Sequence, residues 1–299
     1  MVSRTATLLA LLLTAVAVSS AAPSAEPAGA SHVYKHVDGR QLDLFVTLPD
    51  PPTANHRRPA IIFYHGGGWT GGSPAQFNAH ARHFASRGIV SILVRYRLID
   101  GKSAVPPLVC IQDARSSFRW VRAHAPELGI DPDRIAAAGG SAGGHLAAHL
   151  ALVAAPHLDD PQDDARISFR PDALLLFNPV LDNGPGEFGH RRVGDRVTEF
   201  SPAHNVAPGA PPAILFLGSA DKLVPVATLE RFCSALRAAG NRAELHVYPD
   251  QPHGFFNFDR DDSRHFALTV RAADAFLASL GWIQGEPSLD LLPTDGPGH

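Results

Sequence analysis

The sequence predicts an α/β fold with a mostly parallel central sheet of about eight strands, covered by helices on both faces and lacking a large cap domain. Three observations carry this. Short apolar runs recur along the chain: LDLFVTL (42–48), AIIFYH (60–65), IVSILVRY (89–96), IAAAGG (135–140), ALLLFNPV (173–180), AILFLGS (213–219) and AELHVYP (243–249). Continuous runs of this kind suit strands buried on both faces of a parallel sheet. Between them, Ile111, Ala114, Phe118 and Val121 fall at helical spacing, as do Leu229, Phe232, Cys233 and Leu236. Finally, 45% of the residues are hydrophobic and only two are cysteines, so a packed core rather than a disulfide framework must hold one domain together.

The elements follow in order. At the start, Arg4 precedes an apolar run from Ala6 to Val18, the pattern of a secretory signal. Small residues Ser19 and Ala21 predict a signal peptide over 1–21, with Ala28 and Ala30 offering a site as late as 30. The run is too short to span a bilayer, which takes about 20 apolar residues, and no later stretch offers a span. The expectation is a secreted or periplasmic protein without membrane insertion. Removing the one charge of the signal, Arg4, moves the formal net charge from −3 to −4, which gives no footing for nucleic acid. A catalytic domain is expected over 31–282. The tail 283–299, rich in Pro, Gly and Asp, is expected to be disordered.

In the centre of the domain, the strand pattern RIAAAGG runs into SAGGHLAAHLAL, where Leu146, Ala147, Leu150 and Leu152 read as a buried helix. Ser141 therefore stands at a strand-to-helix corner between two pairs of glycines. Gly139-x-Ser141-x-Gly143 is the nucleophile-elbow spacing, in which small neighbours let the serine occupy a strained turn with its hydroxyl exposed above the sheet. A three-residue pattern is weak by itself and gains force only from its surroundings.

Ligands of such sheets bind beyond the carboxyl ends of the strands, so the loops after the apolar runs hold the candidates. After AIIFY comes His65-Gly66-Gly67-Gly68-Trp69, whose unobstructed backbone N–H groups suit the oxyanion of a tetrahedral ester intermediate. The elbow adds the N–H of Ala142. After AILFLGS comes Asp221, and after AELHVYP comes His253. The chain order Ser141, Asp221, His253 is that of a hydrolytic triad on this class of sheet: Ser141 attacks, His253 relays the proton, and Asp221 fixes the imidazole tautomer.

Several other residues compete for these roles. Asp221 is also suited to capping the helix leading to Leu229, and Asp250 lies nearer His253 in sequence. His246 alternates with Leu245 and Val247 and so faces solvent, while His265 falls in the last amphipathic helix. His145 reads as structural or pocket-lining. His80 and His83 are closely spaced but lack an H-E-x-x-H pattern or cysteine partners, so no metal and no cofactor is expected. Cys233, on an apolar helix face, reads as a buried hydrophobe. The least patterned internal stretch, 155–206, is expected to form a wall of the site or a small lid.

Taken together, HGGGW, GGSAGGHLA, GSADKLVP and PHGFF resemble the hormone-sensitive-lipase-like branch of α/β-hydrolase esterases, over about residues 32–281. The resemblance implies that Gly67 and Gly68 donate to the oxyanion together with Ala142. Two departures stand out. Many members read Gly-Asp-Ser-Ala-Gly where this chain has Gly140, and they carry a helical cap before the glycine loop. Here about 35 mature residues precede His65, and two strands use them up. Both departures bring the chain closer to compact exported esterases resembling acetylxylan and feruloyl esterases. In the resembling fold the helices bearing Cys110 and Cys233 lie well apart, so both are expected as free thiols.

The expected activity is that of a serine carboxylesterase acting through an acyl-enzyme on short-chain acyl esters, as small molecules or linked to plant polysaccharide (acetylxylan or feruloyl ester). Trp69 and Phe255 are expected to bind substrate as walls of an open cleft. Two alternatives stay open. A serine peptidase of prolyl-oligopeptidase-like type shares the elbow and triad order, although no repeated blade pattern of a propeller is present. A non-catalytic binding protein that kept the fold would not need every reacting group that is present here.

Overall fold

The computed structural model describes residues 25–49, 57–286 and 289. The expected signal peptide, 1–21, lies outside these residues, as does most of the tail 283–299. Eight strands form one sheet in the order β1-β2-β4-β3-β5-β6-β7-β8. They are β1 (Ala30–Val37), β2 (Arg40–Thr47), β3 (Arg58–Tyr64), β4 (Val90–Val94), β5 (Ile130–Gly140), β6 (Ala173–Phe177), β7 (Ala213–Gly218) and β8 (Ala243–Tyr248). Only β1 with β2 and β2 with β4 pair antiparallel; from β4 to β8 every pair is parallel.

All seven apolar runs become strands. β1 was not among them, and its composition shows why: ASHVYKHV is an edge strand with one inward face, so no continuous apolar run forms. A polar contact secures it instead. The Lys35 ammonium is buried and reaches Asp113 Oδ1 at 2.9 Å and Asp160 Oδ2 at 2.6 Å, tying β1 to the helix that follows β4.

Among the described residues, α1 (Asn78–Ser86), α2 (Leu108–Ala123), α3 (Ala142–Leu152), α6 (Val226–Ala238) and α7 (Arg264–Ser279) flank the sheet, while the short α4 (His190–Val193) and α5 (Val197–Phe200) lie between β6 and β7. Alternate residues of each central strand face opposite layers. Ile62, Tyr64 and Ala137 pack with Phe118 of α2, Leu146 of α3 and Leu229 of α6. On the other face Ile61, Phe63 and Ala136 pack with Phe84 of α1 and with Val270 and Phe276 of α7.

Described residues on both sides of 31–282 make contacts with the rest of the chain. Before β1, the Ala28 N–H donates to Asn78 Oδ1 at 2.7 Å, and Asn78 Nδ2 donates to the Glu26 carbonyl at 2.8 Å. Beyond Trp282, Ile283 is buried in the core and Arg271 donates to the Leu289 carbonyl. An apolar side chain within reach of the α7 cluster gains more from burial than the polar tail composition suggests. Apart from β6, the stretch 155–206 holds only short helices, and its short α5 is tied to α3: His145 Nε2 donates to the Phe200 carbonyl at 2.7 Å and His149 Nε2 to that of Glu199 at 3.0 Å. His145 is thus structural, as expected.

Candidate active site

The loops after β3, β5, β6, β7 and β8 meet at the carboxyl end of the sheet. Ser141 sits between β5 and α3 with φ 51 and ψ −116, a strained conformation for a residue with a side chain. The turn is over-determined by its neighbours. The Ser141 N–H donates to the Phe177 carbonyl at 2.9 Å, and the Ser141 carbonyl accepts from His145 and Val180 at 3.0 and 3.2 Å. Close approach accounts for the glycines. A Cβ on Gly143 would stand 1.9 Å from the Tyr64 carbonyl oxygen, and one on Gly139 would stand 2.4 Å from the Gly143 backbone. At Gly140, where the resembling esterases carry aspartate, a Cβ would meet Phe256 Cζ at 2.6 Å. The buried Phe256 ring fills the space that an aspartate side chain would need.

The glycine loop is held from behind. His65 is buried and stacks on Tyr96 at 4.2 Å between centroids, while the Tyr96 hydroxyl donates to the His65 carbonyl at 2.6 Å. Burial pulls the His65 imidazole down to about 4, only partly opposed by its hydrogen bond with the Gly66 carbonyl, so the ring is neutral at pH 7. The Gly66 N–H is spent on Gln76 Oε1 at 2.7 Å. Among the described residues, the N–H groups of Gly67, Gly68 and Ala142 have no acceptor. The site where a Gly66 Cβ would stand is 3.4 Å from Ser141 Cβ, which puts this loop directly beside the elbow.

His253, in the loop after β8, has its Nδ1 2.7 Å from Asp221 Oδ2. The Asp221 side chain is fully buried, and its other oxygen accepts from the Leu223 and Val224 N–H groups at 2.8 and 3.0 Å. Burial alone would raise this carboxyl. The hydrogen bond from His253 and the two N–H donors outweigh it and hold Asp221 below its ordinary value, ionised. Asp250 is exposed, with φ 58, and makes no contact with His253. The Ser141 hydroxyl has no hydrogen-bond partner among the described residues, a common state of an unliganded nucleophile.

Two expected substrate contacts are corrected. Trp69 is 1% exposed and Phe255 2% exposed, so neither lines an open cleft. Trp69, at φ 64, packs against the edge of His145 and beside Phe188. Phe255 packs beneath the His253 loop against Tyr248 and His265. Burying a large ring stabilises a loop by far more than leaving it at the rim, and loop sequence carries no periodicity that tells the two apart.

Asn178 was missed. It follows β6 directly, is 1% exposed, and places its Nδ2 3.2 Å from His253 Nε2. Reading 173–180 as one strand hid it, although a polar residue at that strand end was the available signal. Among the described residues no cluster of three or more His, Cys, Asp or Glu is arranged to hold a metal ion, and no helix is long and apolar enough to cross a membrane.

The chain is similar to known esterases of this fold. The BD-FAE family matches residues 42–182 and the dienelactone hydrolase family matches residues 113–285. Carboxylesterase NlhH of Mycobacterium tuberculosis is 31% identical over 77% of this chain and 74% of its own length. An acetylxylan esterase of Xylanibacter ruminicola is 28% identical over 84% of this chain, which spans only 50% of that longer protein. Among solved structures, the apo form of Thermogutta terrifontis esterase 2 superposes with a TM-score of 0.82 at 42% identity, covering 88% of this chain and 99% of that one. The same esterase has been solved with propionate and with butyrate bound.

Proposed function

The chain belongs to the α/β-hydrolase carboxylesterases, and we propose that within that family it is a secreted serine esterase that removes short acyl groups through an acyl-enzyme. The observation that carries the reading is the Asp221–His253 pair at 2.7 Å, set beside an elbow serine and three N–H groups without acceptors.

Ser141 Oγ attacks the ester carbonyl while His253 Nε2 takes its proton, and Asp221 holds the Nδ1–H tautomer and balances the imidazolium. The N–H groups of Gly67, Gly68 and Ala142 receive the negative charge that develops on the carbonyl oxygen. His253 passes the proton to the departing alcohol, which leaves the acyl group on Ser141. Water, activated by the same ring, then attacks the acyl carbonyl and frees the acid and the serine. The His253 side chain is 22% exposed, so water has a path to it.

Short acyl groups are favoured because no large cap domain is present among the described residues, and each buried CH₂ contributes about 0.8 kcal/mol only where a groove lines it. The propionate and butyrate complexes of the Thermogutta esterase support the same preference. A bulky or polysaccharide alcohol is supported by the kinship with an acetylxylan esterase. Export is supported by Arg4 and the apolar run to Val18.

The test is kcat/KM across p-nitrophenyl esters from two to twelve carbons, with acetate release from acetylated xylan measured alongside. A maximum at two to four carbons with a fall by eight is expected. A preference for ten or more would replace the polysaccharide reading with a lipid one.

A further inference from the structure

We infer that Asn178 is a positioning residue for the general base: its amide holds the resting His253 ring in the tautomer that can take the serine proton, and yields Nε2 to the serine hydroxyl before that proton moves. The inference rests on the assignment of His253 as the base.

The geometry fixes which way the amide points. Asn178 Oδ1 lies 3.1 Å from the Gly254 N–H, and a backbone N–H can only donate, so the oxygen faces Gly254 and Nδ2 faces His253 Nε2 at 3.2 Å. An amide N–H needs a lone pair opposite it. Nε2 must therefore be unprotonated, which puts the ring proton on Nδ1, pointing at Asp221. Two independent contacts thus select one tautomer. The chain accepts strain to build this: Asn178 has φ 34, in the left-handed region where asparagine is among the few tolerated side chains, and its own N–H donates to the Phe216 carbonyl at 2.7 Å. Phe177 and Val180, on either side of it, are both hydrogen-bonded to the Ser141 backbone, so the clamp and the nucleophile share one piece of backbone.

The contact changes sign during catalysis. While His253 is neutral, Nδ2–H to Nε2 is attractive. The Nε2 lone pair serves one donor at a time, so the Ser141 hydroxyl displaces the amide before transfer; once Nε2 carries the proton, two N–H donors would face each other at Asn178, and the ring is kept turned toward an acceptor, the oxygen of the departing alcohol. The amide itself neither gains nor loses a proton. Among the described residues, Asp221 is the one charged group in hydrogen-bond contact with the ring, so a change in how the ring titrates is traceable to these two partners.

Asn178→Asp keeps an acceptor for Gly254 and nearly the same shape, but sets a carboxylate against Nε2 that favours the protonated ring. The acid limb of kcat/KM against pH for p-nitrophenyl acetate is expected to move up by about one pH unit or more. Asn178→Ala loses both contacts, and kcat is expected to fall about 10- to 100-fold with KM little changed. A role in packing alone would change activity without moving the acid limb, so an unmoved limb in folded Asn178→Asp overturns the inference. Should that variant not fold, nitrogen-15 NMR of the histidines in wild type and in Asn178→Ala decides: a smaller Nδ1–H population for His253 in Asn178→Ala supports the clamp and an unchanged one overturns it. His253→Ala separates the two layers. An active His253→Ala removes the base assignment itself, whereas an inactive one combined with an unmoved Asn178→Asp profile removes only the clamp.

Discussion

Mild acid should unfold this protein, and the reason is four buried histidines. His80, His145 and His149 are fully buried and His65 is nearly so. Burial pulls His80 down to about 3, aided by neighbouring His83, and holds His65 and His145 at about 4, opposed in part by their carbonyl contacts. His149 is also held well below its ordinary value, first by burial and then by His145 and Arg115. In the unfolded chain each ring titrates near 6.5. A group whose folded value is depressed in this way leaves the unfolded state binding more protons, so stability is intact above about 6.5 and is lost as the pH falls below it. At pH 5 each ring with a stated value costs about 2 kcal/mol, which gives about 6 kcal/mol for the three, and His149 acts in the same direction. Asp172, raised chiefly by burial, works in the opposite sense, but one group does not cancel four. A typical total stability is about 5–15 kcal/mol, so little margin remains at pH 5. Urea unfolding followed by far-UV circular dichroism at pH 7.5, 6 and 5, at constant ionic strength, measures the loss directly. His80→Leu should lessen the fall by about 2 kcal/mol, because His80 lies among Phe63, Phe77, Phe177, Phe256 and Phe266 with neither nitrogen partnered. A total fall under about 2 kcal/mol would refute the reasoning.

Three further outcomes follow from the geometry. Asp221→Asn should lower kcat by about 10⁴-fold through the wrong imidazole tautomer, whereas Asp250→Asn, at an exposed position away from the ring, should leave kcat near wild type; the reverse pattern in steady-state assays would move the acid to Asp250. The thiols of Cys110 and Cys233 are buried, and burial pushes them up to about 12 and about 11. Ellman's reagent at pH 8 should therefore find neither in the folded protein and both after unfolding; a Cys110–Cys233 linked peptide in mass spectrometry would contradict the topology. Gly140→Asp, which introduces the residue many related esterases carry, should cost about 1–3 kcal/mol by driving a side chain into the Phe256 ring. Thermal unfolding reads this, and adding Phe256→Ala should relieve the clash even though it opens a cavity of its own.

Where the core is two-sided, the fold was legible. Strands such as Ala173–Phe177 and Ala213–Gly218 are buried at every position, and a run of apolar residues is the direct imprint of that environment. β1 left no such imprint because it is stabilised by one apolar face and by the buried Lys35 ion pairs, whose partners lie at least 78 residues away in sequence. In the site, Asp221 and His253 were legible because each follows a strand at a fixed offset, and the structure brings them into contact. Asn178 obeys the same rule, but the apolar Pro179 and Val180 beyond it extended the apparent strand. Trp69 and Phe255 erred in the other direction: proximity to a motif says that a ring is near the site, and only packing decides whether it faces the substrate or the core.

The proposed chemistry turns on Ser141 as the nucleophile, activated by His253. Reaction of the folded protein with a fluorophosphonate, followed by peptide mapping and by rate measurement in Ser141→Ala and His253→Ala, tests these roles. One adduct per chain is expected, on Ser141, with none in Ser141→Ala and a labelling rate in His253→Ala lower by several orders of magnitude. An adduct on any other residue, or unchanged labelling of Ser141→Ala, would contradict this assignment.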